Sequence, residues 1–278
     1  MPTVASQNLT IRIGNQTAYS ASTMMEPFEF ALAHGFSSFE FFPDRGYTGV
    51  GGWAEDEVDT TSRRTIRETA IKHSIELTVH ATLEFNPLNN PQDPRLFSTV
   101  EFAHDIGARL INLHLEADAG PAVFVDALGT TLQLTAEAGI QLALENTVYT
   151  GPEDFNAFFV ELHKRSDLPN KHVGMCLDLG HANLYGAYRN DFCRYIDRLD
   201  PTVPLIHLHL HENFGDRDSH LPLFTGPSHD NDAGIRAFLD RLAKRNYDGC
   251  AVLEQWPQPP SLLVQSRDKL VQLIENRD

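Results

Sequence analysis

Six apolar segments of this chain each end in a residue type that ligates metals. They are 77–80 ending in His80, 110–114 in His114, 142–145 in Glu145, 173–178 in Asp178, 205–209 in His209 and 251–254 in Glu254. Short apolar runs bounded by turn residues read as buried strands. Buried strands that share a polar end place one polar site at one rim of a sheet, and any fold for this chain must satisfy that.

Strand-like and helix-like segments alternate, the pattern of a parallel α/β sheet. Eight strands are predicted, over 9–13, 38–42, 76–80, 110–115, 141–145, 173–178, 205–211 and 249–254. Between them lie helical faces. Phe155, Phe158, Phe159 and Leu162 fall at i, i+3, i+4 and i+7 behind Gly151-Pro152, and Ile235, Phe238, Leu239 and Leu242 repeat the spacing. With 278 residues and neither a linker nor a composition shift, residues 1–278 read as a single (β/α)₈ barrel domain. No Gly-x-Gly-x-x-Gly follows the first strand, which disfavours an open dinucleotide-binding sheet.

Side chains alternate along a strand, and in a barrel one set faces the helices while the other faces the axis. Leu142 and Leu144 oppose Ala143 and Glu145. Met175 and Leu177 oppose Cys176 and Asp178. Ile206, Leu208 and Leu210 oppose His207, His209 and His211. Every aliphatic set can face the helices only if every polar strand end faces the axis. All six ends then meet at the C-terminal rim, where barrel enzymes place their sites.

An isolated charge there is costly to bury, and three crowded carboxylates repel. A divalent cation resolves both problems. Glu145, Asp178, His209 and Glu254 offer three carboxylates and one imidazole, a set that suits Mn²⁺, Mg²⁺, Co²⁺ or Zn²⁺. His80, His114, His181, Asp218 and His220 form a second, imidazole-rich set, fit for further metal or for hydrogen bonds to a polyhydroxylated substrate. His207 lies deeper than His209 and reads as a core or supporting group. Two connections, 43–59 and 212–231, exceed the roughly 12–15 residues that structureless loops usually reach. They are expected to close over the site, with Trp53 excluding water and Arg217 touching substrate.

The formal net charge of −16 repels phosphate backbones and argues against non-specific nucleic-acid binding. Three cysteines, Cys176, Cys193 and Cys250, form no disulfide pattern and suit a reducing, cytoplasmic setting. No apolar run approaches the length of a membrane span. The first seven residues lack a basic-then-apolar leader. A homo-oligomer is left open.

Several segments resemble the xylose isomerase-like barrel superfamily, which includes sugar isomerases, epimerases and the endonuclease IV class of apurinic endonucleases. They are Val79-His80 with Asn86; Asn112-Leu113-His114; Leu144-Glu145-Asn146-Thr147; Cys176-Leu177-Asp178-Leu179-Gly180-His181-Ala182; His209-Leu210-His211-Glu212-Asn213; Asp218-Ser219-His220-Leu221-Pro222; and Leu253-Glu254. Resemblance to the epimerases implies one cation on Glu145, Asp178, His209 and Glu254, with Glu145 and Glu254 as acid and base and His181 on substrate. Resemblance to the endonuclease class implies three zincs on nine ligands: His80, His114, Glu145, Asp178, His181, His209, Asp218, His220 and Glu254.

The chain departs from the endonuclease pattern. Leu115-Glu116 stands where that class has Pro-Gly, and Leu83 where it has an aromatic. The first βα loop carries no Lys or Arg, and Arg45, Arg63, Arg64, Arg189 and Arg217 form no cluster. The resulting expectation is a metal-dependent isomerase or epimerase acting on a sugar, sugar phosphate or cyclic polyol. A zinc phosphodiesterase and a dehydratase on the same site are the alternatives.

Overall fold

A computed structural model describes residues 9–43 and 51–277. Eight parallel strands close into a barrel in chain order: β1 (Arg12–Gln16), β2 (Ser38–Phe41), β3 (Glu76–His80), β4 (Leu110–His114), β5 (Gln141–Glu145), β6 (Val173–Asp178), β7 (Leu205–Leu210) and β8 (Cys250–Leu253). Helices fill the connections and cover the outside, which makes the fold a TIM barrel.

Apolar period decides these elements. The helix Pro152–Lys164 starts with proline at its first position, where the missing N–H costs nothing. It buries Phe155, Phe158, Phe159 and Leu162. These side chains belong to the same apolar layer as Leu142, Leu144, Met175 and Leu177 of the wall. The helix Ala233–Lys244 likewise buries Ile235, Phe238, Leu239 and Leu242. Each such aromatic or leucine contributes on the order of 1.5–3 kcal/mol by leaving water. Inside the barrel a smaller group, Leu110, Ala143 and Cys176, packs together with Ile206 on the axis.

Register levels the strand ends. His114 pairs with Glu145 across β4 and β5, and Asp178 pairs with His209 across β6 and β7. The polar residues therefore reach one height on one rim.

The structure differs from expectation at four places. β1 starts three residues later than the apolar run suggests. Its last residues are polar and buried: Asn15 donates to the Pro27 carbonyl at 3.1 Å, and Gln16 faces the rim. The run from Leu9 read as strand because it is apolar; the actual strand ends in buried polar side chains. Second, Ile206 does not join Leu208 and Leu210 on the outer face. The register skips it, pairing Met175 with Leu205 and Cys176 with His207, and Ile206 packs on the axial group. Gly174 leaves the space, since a methyl there would lie 2.7 Å from the Ile206 side chain.

Third, Trp53 is no water-excluding lid over the rim. It is 3% exposed and packs edge-on against Phe41 and tilted against Phe102 in the outer core. Residues 44–50 of that connection, with Arg45, Gly46 and Gly49, lie outside the described residues. Fourth, the connection after β7 is anchored rather than free. Glu212 and Leu221 exchange backbone hydrogen bonds at 2.8 and 2.9 Å. The Glu212 carboxylate accepts from the Gly226 and Ser228 backbones, both at 3.0 Å. Among the described residues no helix is long and apolar enough to cross a membrane.

Trp53→Ala should therefore lower the unfolding free energy by about 3–5 kcal/mol in denaturant melts, the cost of emptying a core aromatic site. A loss under about 1 kcal/mol would return Trp53 to an exposed, loop-closing role.

Candidate metal centre

The last residues of β3 to β6, with His209 of β7 and Glu254 just past β8, build the deepest part of the rim. Glu145 ends β5 with 1% exposure. His80 Nε2 lies 3.2 Å from its Oε2, His209 Nδ1 lies 3.2 Å from the same oxygen, and Asn112 Nδ2 donates to it. On Oε1, His181 Nδ1 stands at 3.6 Å and His114 Nε2 at 3.8 Å. Asp178 ends β6 and caps the helix Leu179–Leu184, accepting from the His181 backbone at 2.6 Å. Its carboxylate also meets His211 Nε2 at 3.1 Å. The Asn146 side chain grips the Asp178 backbone from both sides, at 2.8 and 3.0 Å.

His209 joins this set to Glu254. Its Nδ1 lies 3.0 Å from Glu254 Oε1. Neither that nitrogen nor Glu254 Oε2 has a directed hydrogen-bond partner, although both are buried. Burial without a partner costs free energy, and a cation between these atoms would remove the cost. The donor chemistry agrees: Glu145, Asp178, His209 and Glu254 bring one ligand atom each to within 4.8 Å of one another. These residues therefore fit a divalent metal.

Two further groups flank the first. His80, His114 and Glu145 form one. His181, His211, Asp218 and His220 form the other. Asp218 Oδ2 bridges His181 Nε2 at 3.1 Å and His220 Nε2 at 3.2 Å. His220 has a left-handed backbone, φ 43°, an unusual state for a non-glycine residue. It is held there by its Nδ1 contact to the Glu254 carbonyl at 3.1 Å and by stacking on His211, 4.0 Å between ring centres.

Electrostatics follow from crowding. Burial pushes the Glu145 and Asp178 carboxyls up, but the facing imidazoles outweigh it and hold both well below the usual carboxylate range. Burial lowers His114 to about 4. Burial also opposes charge on His209 and His181, yet the surrounding carboxylates raise both well above the usual value. His220 is opposed by burial and raised to about 9 chiefly by its contact with Asp218.

Above these groups opens a cavity of about 620 Å³. Its floor carries His80, His114, Glu145, His181, Asp218, His220 and Glu254; its walls mix Phe42, Leu83 and Trp256 with Gln16 and Gln255. No Lys or Arg is among the described residues that line it.

A sequence model of the xylose isomerase-like TIM barrel family matches residues 28–273. The chain belongs to that family. It is 23% identical over 259 residues to an uncharacterised protein of Methanocaldococcus jannaschii, covering 80% of this chain and 83% of that one. A D-tagatose 3-epimerase-like protein superposes with a TM-score of 0.72 at 19% identity, covering 95% of this chain and 97% of that chain. An L-ribulose 3-epimerase superposes with a TM-score of 0.68 at 14% identity, covering 96% and 95%. At these identities the likenesses speak to the fold.

The structure thus brings together Glu145, Asp178, His209, Glu254, His80, His114, His181, Asp218 and His220. It does not bring in Trp53, which is core, or Arg217, which is solvent-exposed and absent from the cavity wall. An arginine in a rim loop suggested an anion contact; the anchored loop turns His220 inward instead. Sequence reasoning missed Glu40, buried beneath His209, whose position between Phe39 and Phe41 was itself an alternation signal. It also assigned no ligand role to His211, although its inward face was legible. Gly180 is part of the same construction, since a methyl group there would overlap the His211 ring.

Two outcomes follow. Cation binding at the Asp218 group must displace the proton that His220 holds below about pH 9. His181 in the same group also holds its proton well above the usual value, so zinc affinity there should rise about tenfold or more per pH unit from pH 6 towards 9, with proton release visible in calorimetry across buffers; a flat profile over that range would contradict this. Gly180→Ala should displace His211 and weaken zinc binding at the same group, while Ala at the open Gly186 should leave it unchanged.

Proposed function

We propose that this chain is a divalent-metal-dependent isomerase or epimerase acting on an uncharged, carbohydrate-like molecule. The observation that carries the reading is a carboxylate–imidazole floor beneath a cavity whose described lining holds no Lys or Arg. A phosphorylated substrate or a nucleic-acid backbone would call for such cations. A sugar or cyclic polyol calls for amides, hydroxyls and an apolar face, which Gln16, Gln255, Ser219 and Trp256 offer. Solved relatives in fold carry the names of a D-tagatose 3-epimerase-like protein, an L-ribulose 3-epimerase and a D-psicose 3-epimerase, which supports the same class.

Mn²⁺, Mg²⁺, Co²⁺ or Zn²⁺ would be held by Glu145, Asp178, His209 and Glu254, and when bound supplies Lewis-acid polarisation of a carbonyl. The chain's own groups handle the proton. Glu254 Oε2 is a buried carboxylate oxygen without a directed partner, and Glu254 lines the cavity, so it is placed to take or return a proton at carbon. Glu145 reaches the same floor from β5, enclosed by His80, His114, His181 and His209, and serves as the opposing acid or base. His181 lines the floor and can donate to a substrate oxygen. Positioned proton transfer of this kind is worth roughly 10²–10⁴-fold in rate. The same geometry could expel a β-hydroxyl, which would make the reaction a dehydration.

One observation favours a second reading. All nine residues that the resemblance assigns to a three-zinc phosphodiesterase site fall in three neighbouring groups, two of which share Glu145. That chemistry would use the flanking imidazoles as ligands instead of substrate contacts.

The test is a panel of ketoses and cyclic polyols in deuterated water, with the metal-loaded protein. Solvent deuterium should enter the α-carbon of a turned-over substrate. Glu254→Gln and Glu145→Gln should each reduce exchange about 10²–10⁴-fold, and chelation should abolish it. Exchange that survives both substitutions would remove these residues as the proton carriers. Catalytic nicking of a duplex bearing an abasic-site analogue, without sugar turnover, would replace the proposal by the second reading.

A further inference from the structure

Beneath the cation-ligand set lies a carboxylate that none of the chemistry above uses. Glu40 sits on β2 between Phe39 and Phe41, which face the outer core, and it points into the closed barrel with no exposure. A lone carboxylate there is expensive, so its surroundings must repay it. Oε2 accepts from Thr78 Oγ1 at 2.9 Å and meets His207 Nε2 at 2.9 Å. Oε1 lies 2.9 Å from His209 Nε2. This last contact lies off the line of a directed hydrogen bond, so in this arrangement the carboxylate acts on the ring through its charge.

The His209 ring therefore spans two layers. One nitrogen faces Glu40 below. The other, Nδ1, faces Glu254 at 3.0 Å and Glu145 at 3.2 Å above. A neutral imidazole carries one proton and one lone pair. A cation held among Glu145, Asp178, His209 and Glu254 takes the lone pair of Nδ1, which leaves the proton on Nε2. That N–H is fully buried and needs an acceptor, and Glu40 Oε1 is the oxygen beside it. A carboxylate behind a ligating histidine fixes the ring's tautomer and orientation and raises its basicity.

We infer that Glu40 is a positioning residue for the metal centre: its carboxylate, anchored by Thr78 and His207, holds the His209 ring so that Nδ1 is the atom presented to the cation. The inference rests on the reading that this set binds a divalent cation. It does not depend on which reaction the centre performs. The competing role is purely structural, in which Glu40 does no more than neutralise two buried imidazoles.

The experiment uses the full chain and zinc alone. Competition titrations compare wild type with Glu40→Gln, which keeps the shape and an acceptor oxygen but loses the charge. The expected result is zinc affinity weaker by about 10–100-fold, the usual effect of removing such a partner, with circular dichroism and melting of the metal-free protein close to wild type. A Kd within twofold of wild type, or a fall in melting temperature with the Kd unchanged, overturns the inference while leaving the metal reading intact. Failure of the wild type itself to bind zinc overturns both. Nitrogen-15 histidine spectra of the zinc-loaded wild type decide the matter independently if the variant does not fold. His209 should show a protonated Nε2 and a metal-bound Nδ1; the reverse assignment would contradict the inference.

Discussion

The rest of the structure depends on a buried lattice of carboxylates and imidazoles along the barrel axis. It begins at Glu40 and His207, passes through His209 to Glu145 and Glu254, and spreads to Asp178, His211, Asp218 and His220 at the rim. Such a column is unfavourable group by group, because each charge gives up water. It persists because every carboxylate faces at least one imidazole and because the aliphatic wall behind it is closely packed. The barrel's aromatic outer layer thus stabilises an interior that would be unfavourable on its own.

Three layers of increasing access follow from this column. Nearest the strand starts, Leu110 and Ile206 pack inside the barrel with Ala143 and Cys176. In the middle, the fully enclosed Glu40 and His207 lie against His209. At the top, Asp218 and His220 arrive from an anchored loop and complete the rim. The loop owes its shape to Glu212, which binds the backbones of Gly226 and Ser228 and frees the loop from needing a helix or strand of its own. The cavity above mixes polar and apolar groups, and no Lys or Arg is among the described residues that line it. That combination separates what the floor could do, which includes zinc-based phosphodiester chemistry, from what the walls would admit.

Much of this was legible in the sequence, for one physical reason. Strand alternation ties the fate of polar residues to that of their aliphatic neighbours, so burying Leu142 and Leu144 dictates where Glu145 points. The same rule covers Asp178 behind Leu177 and His209 behind Leu208. It fails where alternation is interrupted or where a loop is fixed by tertiary contacts. Ile206 broke the rule through a skipped register that only the Gly174 gap permits. Trp53 and Arg217 sit in long connections, whose side-chain directions depend on partners remote in sequence. Glu40 was overlooked because it lies mid-strand rather than at a strand end, although Phe39 and Phe41 on either side marked it as axial. His220 was found as a ligand type, but its left-handed backbone and its stack on His211 could not be read from residue spacing.

The proposed chemistry requires Glu145, Asp178, His209 and Glu254 to act as one cation site. Anomalous diffraction from crystals grown with Mn²⁺ or Zn²⁺, recorded on both sides of the metal's absorption edge, tests it directly. A peak is expected at coordination distance from all four side chains, about 2.0–2.2 Å from their oxygen and nitrogen atoms for zinc. A metal-soaked crystal with no peak there, or with density only at surface carboxylates, would contradict it.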